Sequence, residues 1–167
     1  TATTTFRRQA RDGTCNTTFT SSTGTWAVTV DAQFTSGAIS TAGETICYGG
    51  TPATAIGSST AVSGGDATIT YSWRSSADGY TAAISGATSS TYTPPSGLTA
   101  TTSYQRYAND GTCKTTTTHS CTTLTITVRA PFTPGTITNT RETNWYGGTP
   151  TVVGSTNNAR GGRETKH

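Results

Sequence analysis

The 167-residue chain repeats itself at a fixed spacing of 98 residues, and this periodicity limits its architecture more than any other feature. Residues 1–15 read TATTTFRRQARDGTC, and residues 99–113 read TATTSYQRYANDGTC. Residues 34–52 (FTSGAISTAGETICYGGTP) match residues 132–150 (FTPGTITNTRETNWYGGTP) in the same way. A period of this length is that of a whole domain, because solenoid repeats run to roughly 20–50 residues.

The repeat divides the chain into three parts. Residues 1–30 are predicted to be the C-terminal strands of an upstream repeat, 31–130 one complete repeat, and 131–167 the start of a downstream repeat. The two end parts together lack a counterpart of the segment from about 71 to 98, so they do not add up to a second unit. Neighbouring repeats of the same chain are therefore the first expected partners.

Composition predicts an all-β fold. Threonine (44) and serine (17) are abundant, whereas the chain has two leucines, two lysines and no methionine, so common helix formers are scarce. Threonine with spaced valine, isoleucine and tyrosine suits half-buried strands. No apolar run approaches the roughly 20 residues of a transmembrane helix. The net charge of +3 lacks the dense basic face that a nucleic-acid partner requires.

Apolar residues in the complete repeat alternate with polar ones, which is typical of strands with one buried face. The alternation predicts a core that contains Ile69, Tyr71, Trp73, Tyr104, Ile126 and Val128. Seven short strands are expected, near 34–40, 44–48, 53–57, 67–75, 89–93, 101–108 and 112–128, the last one interrupted. Glycine pairs such as Gly64-Gly65 are expected to interrupt the strand pattern and to separate one strand from the next. This pattern favours an immunoglobulin-like β-sandwich.

Two cysteines and a tryptophan follow the order of an immunoglobulin core, in which tryptophan packs on a disulfide between the sheets. Cys47 precedes Trp73, and Cys113 follows it. A Cys47–Cys113 bridge would close a loop of about 66 residues and contribute roughly 4 kcal/mol. The alternative is two buried free thiols. In the third copy Trp145 stands at the position of Cys47, and the partners of two further cysteines stay open, Cys15 and Cys121.

Several short sequence segments of the chain resemble a known repeat. They are ETICYGGTP (44–52), ITYSWRSSADG (69–79), ISGAT (84–88) with YTP (92–94), and TSYQR (102–106) with GTC (111–113). In this order and spacing they resemble the immunoglobulin-like repeats of very large cell-surface adhesins of Bacteroidetes, including the SprB-type gliding-motility adhesins. The resemblance covers residues 1–150, and the tail 151–167 departs from it.

The resemblance implies an extracellular filament at the outer surface, exported by type IX secretion and moved by the gliding machinery, that grips the substratum or a surface polysaccharide. We therefore expect a non-catalytic stalk and adhesive surface that functions in attachment or gliding motility. The alternative is a carbohydrate-binding module accessory to a secreted polysaccharide-degrading enzyme. Tyr48, Tyr80, Tyr107 and Trp145 could supply stacking platforms for sugars, although such rings more often belong to a core.

Residue patterns for catalysis and metal binding are weak. His119 and Cys121 lie two positions apart on one strand face, without a nearby carboxylate to orient the imidazole. The acids lie mostly in turns, without the spacing of a calcium loop. We therefore expect no catalytic residue, no cofactor and no metal. Arg106 follows Tyr104 by two positions and should also point inward, either to grip a ligand or, as we favour, to place its head on backbone carbonyls.

Overall fold

The computed structural model describes residues 2–66, 68–111, 118–120, 122–137 and 141–161. Within these ranges the regular structure is almost entirely β, with one 3-10 turn at Ser76–Asp78 and no α-helix, which confirms the all-β prediction. The strands are β1 (Thr4–Phe6), β2 (Gln9–Ala10), β3 (Thr20–Ser21), β4 (Trp26–Val28), β5 (Ala32–Thr35), β6 (Ala38–Ile39), β7 (Glu44–Ile46), β8 (Ser58–Thr60), β9 (Ser63–Gly65), β10 (Thr70–Ser75), β11 (Thr102–Asn109), β12 (Thr118–His119), β13 (Leu124–Val128), β14 (Thr136–Ile137) and β15 (Ser155–Asn157). No helix in the described part has the length and hydropathy of a membrane span.

The largest sheet has the strand order β10-β11-β13-β7, and β12 also pairs with β11. Its antiparallel centre is β11, which pairs with β10 over six residues and with β13 over three. Only the contact between β7 and β13 is parallel, with Glu44 opposite Ile126 and Ile46 opposite Val128. The hydrogen bond from the Arg129 N–H to the Ile46 carbonyl (2.9 Å) extends this ladder.

A second layer covers one face of this sheet. It is a ribbon in which β5 pairs with β9 and β6 pairs with β8, all antiparallel. Two residues before β8, Ile56 forms an isolated antiparallel bridge with Tyr92. The Thr122 hydroxyl links the two layers at their edge, because it accepts from the Ile39 N–H (2.8 Å) and donates to the Ile39 carbonyl (2.9 Å).

Buried side chains of both layers form one core between them. The large sheet contributes Trp73, Tyr104 and Ile126, which are 0%, 2% and 1% exposed, and the second layer contributes Ile39 and Ile56. On β11 buried and half-buried residues alternate without a break, as expected for a strand with one face toward the core.

The glycines that were predicted to interrupt the chain instead form part of β9. Gly64 and Gly65 have φ of +78° and +69°, a region that non-glycine residues rarely occupy. A Cβ at Gly64 would overlap the Gln33 backbone, and a Cβ at Gly65 would overlap the Asp110 side chain. Gly64 therefore permits the close approach of β9 to β5, and Gly65 permits its close approach to Asp110. The expectation of a simple break here was wrong.

Other predicted strands are shorter in the structure than in the sequence analysis. Segments 53–57 and 89–93 meet only at the Ile56–Tyr92 bridge, and the neighbouring strand is β8. Segment 34–40 is divided at Gly37, where a Cβ would lie 2.5 Å from the Thr60 carbonyl oxygen. Segment 112–128 contains β12 and β13, although residues 112–117 and 121 lie outside the described residues.

The two end parts repeat the pairing of the central unit. Phe6 on β1 lies opposite Trp26 on β4, as Tyr104 lies opposite Leu124 at the 98-residue offset. β2 with β3 matches β11 with β12, and β14 with β15 matches β6 with β8 after a one-residue deletion. In the described residues of both end parts no side chain is buried, so Phe6 is 55% exposed where Tyr104 is 2% exposed. The predicted boundaries at 30/31 and 130/131 stay a prediction, and the buried core lies between them.

Candidate functional site

Arg106 connects the two layers from the inner face of β11. It is 1% exposed, in line with the alternation that predicted an inward side chain. Its Nη1 donates to the Ser58 hydroxyl and to the Ser90 carbonyl (3.1 Å), and its Nη2 donates to the Ser36 carbonyl (3.3 Å). These three acceptors belong to three separate segments of the second layer. A single guanidinium therefore holds the second layer against the sheet.

The environment of Arg106 is that of a structural cation. Its charge lies 5.3 Å from the centre of the Tyr71 ring, which favours the charged form. Burial lowers the pKa of Arg106, and Tyr71 partly opposes that change. The Nε atom is buried without a hydrogen-bond partner. The terminal nitrogens are directed at protein oxygens, so the geometry favours the carbonyl-binding interpretation over a ligand-gripping arginine.

Aromatic rings fill the core beside this arginine. Trp73 stacks on Tyr92 with ring centres 5.5 Å apart, and Tyr92 meets Tyr104 at 5.4 Å. The Trp73 indole N–H donates to the Ser89 carbonyl (2.9 Å), so its polar atom is satisfied. Burial, together with the charge of Tyr92, raises the pKa of Tyr104 to about 12. These groups are placed for packing and not for proton transfer near neutral pH.

The remaining predicted core residues are less buried than expected. Val128 is half-buried against the core cluster. Ile69 and Tyr71 are half-buried outside that cluster, and Tyr71 lies against Arg106. Ile69 precedes the first residue of β10, so it lies where the sheet ends.

Cys47 is a free and solvent-exposed thiol. This corrects the expectation that it lies buried against Trp73. The physical reason is its place in the chain: β7 ends at Ile46, so Cys47 has left the sheet face that packs on the core. Cys113 lies outside the described residues. The predicted Cys47–Cys113 disulfide is not formed in the structure, because the Cys47 thiol is free.

The loop that follows β7 is fixed by a carboxylate, and we name residues 44–53 the clamp loop. Both carboxylate oxygens of Glu44 accept the Ala53 N–H at 3.0 Å, and the Gly50 N–H donates to the Cys47 carbonyl (2.9 Å). The loop is also tied to the segment before β11, because the Gly49 N–H donates to the Leu98 carbonyl (2.8 Å). The role of Glu44 in this loop was not predicted from the sequence.

The third copy has the same loop at residues 142–151. The Glu142 carboxylate accepts the Thr151 N–H at 3.1 and 2.9 Å and its hydroxyl at 2.6 Å. These hydrogen bonds lower the pKa of Glu142. The Gly148 N–H donates to the Trp145 carbonyl, as Gly50 does to Cys47. The signal that could have revealed the clamp was the glutamate kept at the 98-residue offset.

The four suggested stacking aromatics fall into two groups. Tyr48 and Trp145 are exposed, at 51% and 92%, on the two clamp loops. Tyr80 and Tyr107 are half-buried, and the Arg74 guanidinium lies 4.5 Å from the centre of the Tyr107 ring. Of these four rings, only the two on the clamp loops are therefore open to a partner.

A cavity of about 300 Å³ opens between the layers beside the clamp loop. Its wall combines Leu124 and Ile126 with Ser40 and Thr54, and the Glu44 carboxylate lies at its edge. That carboxylate is the one charged group of the cavity lining, and both of its oxygens accept the Ala53 N–H. In the described part of the chain no three His, Cys, Asp or Glu side chains cluster as a metal site would require. The side chain of His119 and all of Cys121 lie outside the described residues.

A family model described as a domain of unknown function (DUF8696) matches residues 35–130. This range lies within the predicted complete repeat and contains the buried core, Arg106 and the first clamp loop. No curated protein and no solved structure matches the chain.

Proposed function

The chain belongs to the family described as a domain of unknown function (DUF8696), and we propose that it is a non-catalytic spacer segment of an exported cell-surface adhesin. In this proposal, immunoglobulin-like β-sandwich repeats in tandem separate an adhesive surface from its anchor on the cell. The family description assigns no activity, and the proposal is supported by the chain itself and by its resemblance to Bacteroidetes adhesins.

The observation that carries the proposal is the recurrence of strand pairing at the repeat offset. Phe6 and Trp26 pair as Tyr104 and Leu124 do, and the β14–β15 pairing matches β6–β8. Because consecutive parts of the chain pair their strands in the same register, the chain is suited to a tandem array of similar units. The immunoglobulin-like assignment is supported by two layers and by the antiparallel order β10-β11-β13, which corresponds to strands C, F and G of that fold.

The parallel contact between β7 and β13 supports a load-bearing role. β7 lies near the N-terminal end of the unit and β13 at its C-terminal end. Tension on the two ends pulls these parallel strands in opposite directions along their length. The hydrogen bonds between the two strands are then loaded together in shear. They run from the pair of Glu44 and Ile126 to the bond from the Arg129 N–H to the Ile46 carbonyl. Such a spacer resists extension without any catalytic site.

Surface localisation is tested by labelling intact source cells with an antibody against residues 31–130. We expect labelling without permeabilisation, together with loss of the epitope after brief protease treatment of whole cells. Labelling that appears only after permeabilisation would contradict an exported adhesin.

The spacer role is tested by pulling the 167-residue chain from its two ends in single-molecule force spectroscopy. Residues 32–128 should unfold in one event, with a contour gain of roughly 300 Å after the folded length is subtracted. Thr127→Pro removes a backbone donor from β13 beside β7 and should lower the force of that event. Extension without a force peak would argue against load bearing.

A further inference from the structure

The clamp loops carry exposed aromatic rings in both copies, and we propose that they bind the pyranose rings of a polysaccharide. In the described residues of 31–130, Tyr48 is the one large hydrophobic side chain that is exposed, at 51%. In the third copy Tyr146 stands at the same position and is fully exposed, and Trp145 beside it is 92% exposed. Both copies therefore place a tyrosine ring at the same surface position, where the ring does not contribute to the core.

Hydrogen bonds hold the first clamp loop in a fixed backbone conformation. Glu44 binds Ala53, Gly49 binds Leu98, and the Gly97 N–H donates to the Gly50 carbonyl (3.0 Å). Gly49 has a φ of +72°, which provides the turn directly after the tyrosine. A ring on a loop held by these bonds loses little conformational entropy when it binds a partner. The backbone that carries the ring is therefore fixed before a partner binds.

The same loop structure recurs in the third copy. Glu142 and Thr151 rebuild the clamp, and Gly147 repeats the positive φ at +81°. The complete central unit keeps the position of Trp145 exposed, because its counterpart there is the exposed Cys47. The exposure of Trp145 is thus a property of the loop.

The surroundings of the ring are polar and uncharged. Thr45 of the clamp loop lies opposite Thr127 on the adjacent strand, and both are exposed. Sugar C–H bonds pack on the negative face of an aromatic ring, and sugar hydroxyls bond to threonine hydroxyls. An acidic polymer would instead require a basic cluster, whereas charged residues make up only 11% of this chain. Weak sites of this kind gain avidity when two occur in series.

The site goes beyond the proposed spacer role, and the two proposals fail separately. The surface-labelling and pulling experiments do not depend on the aromatic rings. Absence of sugar binding would leave those results unchanged.

The test is affinity electrophoresis of the whole chain through gels that contain dextran, xylan, laminarin, hydroxyethyl cellulose or alginate. We expect retardation by at least one neutral polymer. The triple variant Tyr48→Ala, Trp145→Ala, Tyr146→Ala should abolish it, with a loss of roughly two- to tenfold in affinity per ring. The triple substitution to phenylalanine should keep most of the binding. Phe19→Ala is the matched control, since Phe19 is 59% exposed outside both loops.

A second measurement does not require the alanine variants to fold. In a Trp26→Phe background, saturating polysaccharide should shift the emission of Trp145 to shorter wavelength. Four results would each overturn the proposal. The first is no retardation by any neutral polymer, and the second is retardation that is unchanged in the triple alanine variant. The third is binding to alginate alone that salt removes, and the fourth is loss of self-association in that variant without any sugar binding. The last result would identify a protein partner.

Discussion

Replacement of Arg106 by methionine should destabilise the central unit by about 3 kcal/mol. Methionine fills much of the same space but donates no hydrogen bond. Each buried acceptor that loses its partner costs roughly 1–3 kcal/mol, and Arg106 serves three. Two effects reduce the total: Ser58 and Ser90 are exposed enough for water to replace part of the loss, and removal of the guanidinium ends the penalty for its burial.

The assay is urea unfolding followed by tryptophan fluorescence. Trp73 is fully buried, whereas Trp26 and Trp145 are already 73% and 92% exposed, so the change on unfolding reports mainly on the central core. For a unit of this size a loss of about 3 kcal/mol corresponds to a fall in melting temperature of roughly 12–24 °C. Arg129→Met is the control, because Arg129 is exposed and a surface change of this kind stays within about 0.5 kcal/mol.

Ser58→Ala provides a milder form of the same test if Arg106→Met does not fold. It removes one acceptor of Arg106 and should cost about 1 kcal/mol. If Arg106→Met cost less than about 1 kcal/mol, or raised stability, the reasoning would be refuted. The apolar core alone would then hold the layers together, and the buried cation would only be tolerated.

Three further predictions concern other parts of the central unit. Because the pKa of Tyr104 is raised from 10.0 to about 12, the stability that it contributes is complete below pH 10 and is lost as the pH rises to 12. Urea unfolding should show a stability about 2 kcal/mol lower at pH 11.5 than at pH 9, and this difference should be absent in Tyr104→Phe. Gly64→Ala should destabilise by more than about 2 kcal/mol in the same assay, whereas Gly57→Ala, with open space at its Cβ, should be neutral. Native alkylation with iodoacetamide and peptide mapping under non-reducing conditions should modify Cys47, and a Cys47–Cys113 peptide would contradict its free state.

The β content and the face of β11 could be predicted because they depend on local alternation. Tyr104 and Arg106 occupy alternate positions of one strand, so one inward residue fixes the other. The exact acceptors of Arg106 could not be predicted, since Ser36, Ser58 and Ser90 are brought together only by the pairing of distant strands. Sequence patterns carry no direct record of which segments meet across two layers.

Glycine and cysteine were the residues whose roles sequence patterns described least well. A Gly64-Gly65 pair is ordinarily a turn signal, but here the missing side chains allow one strand to approach its neighbour. Cys47 follows a strand whose last residue is buried, and one further position is enough to carry it out of the core. A displacement of one residue along a strand reverses the direction of a side chain. Strand boundaries predicted from alternation are not accurate to one residue.

Comparison of the copies within one chain separates the needs of the fold from those of the surface. Phe6 and Tyr104 stand at the same repeat position, which is aromatic in both copies and packs between the layers in the complete unit. The clamp loop behaves differently: its glutamate, glycines and tyrosine recur, yet the residue before the tyrosine changes from Cys47 to Trp145. A bridge at Cys47 therefore cannot be a general requirement of the loop, because the third copy builds the same clamp without a thiol. What both copies keep is a rigid support for an exposed ring, and that is the feature a binding surface would need.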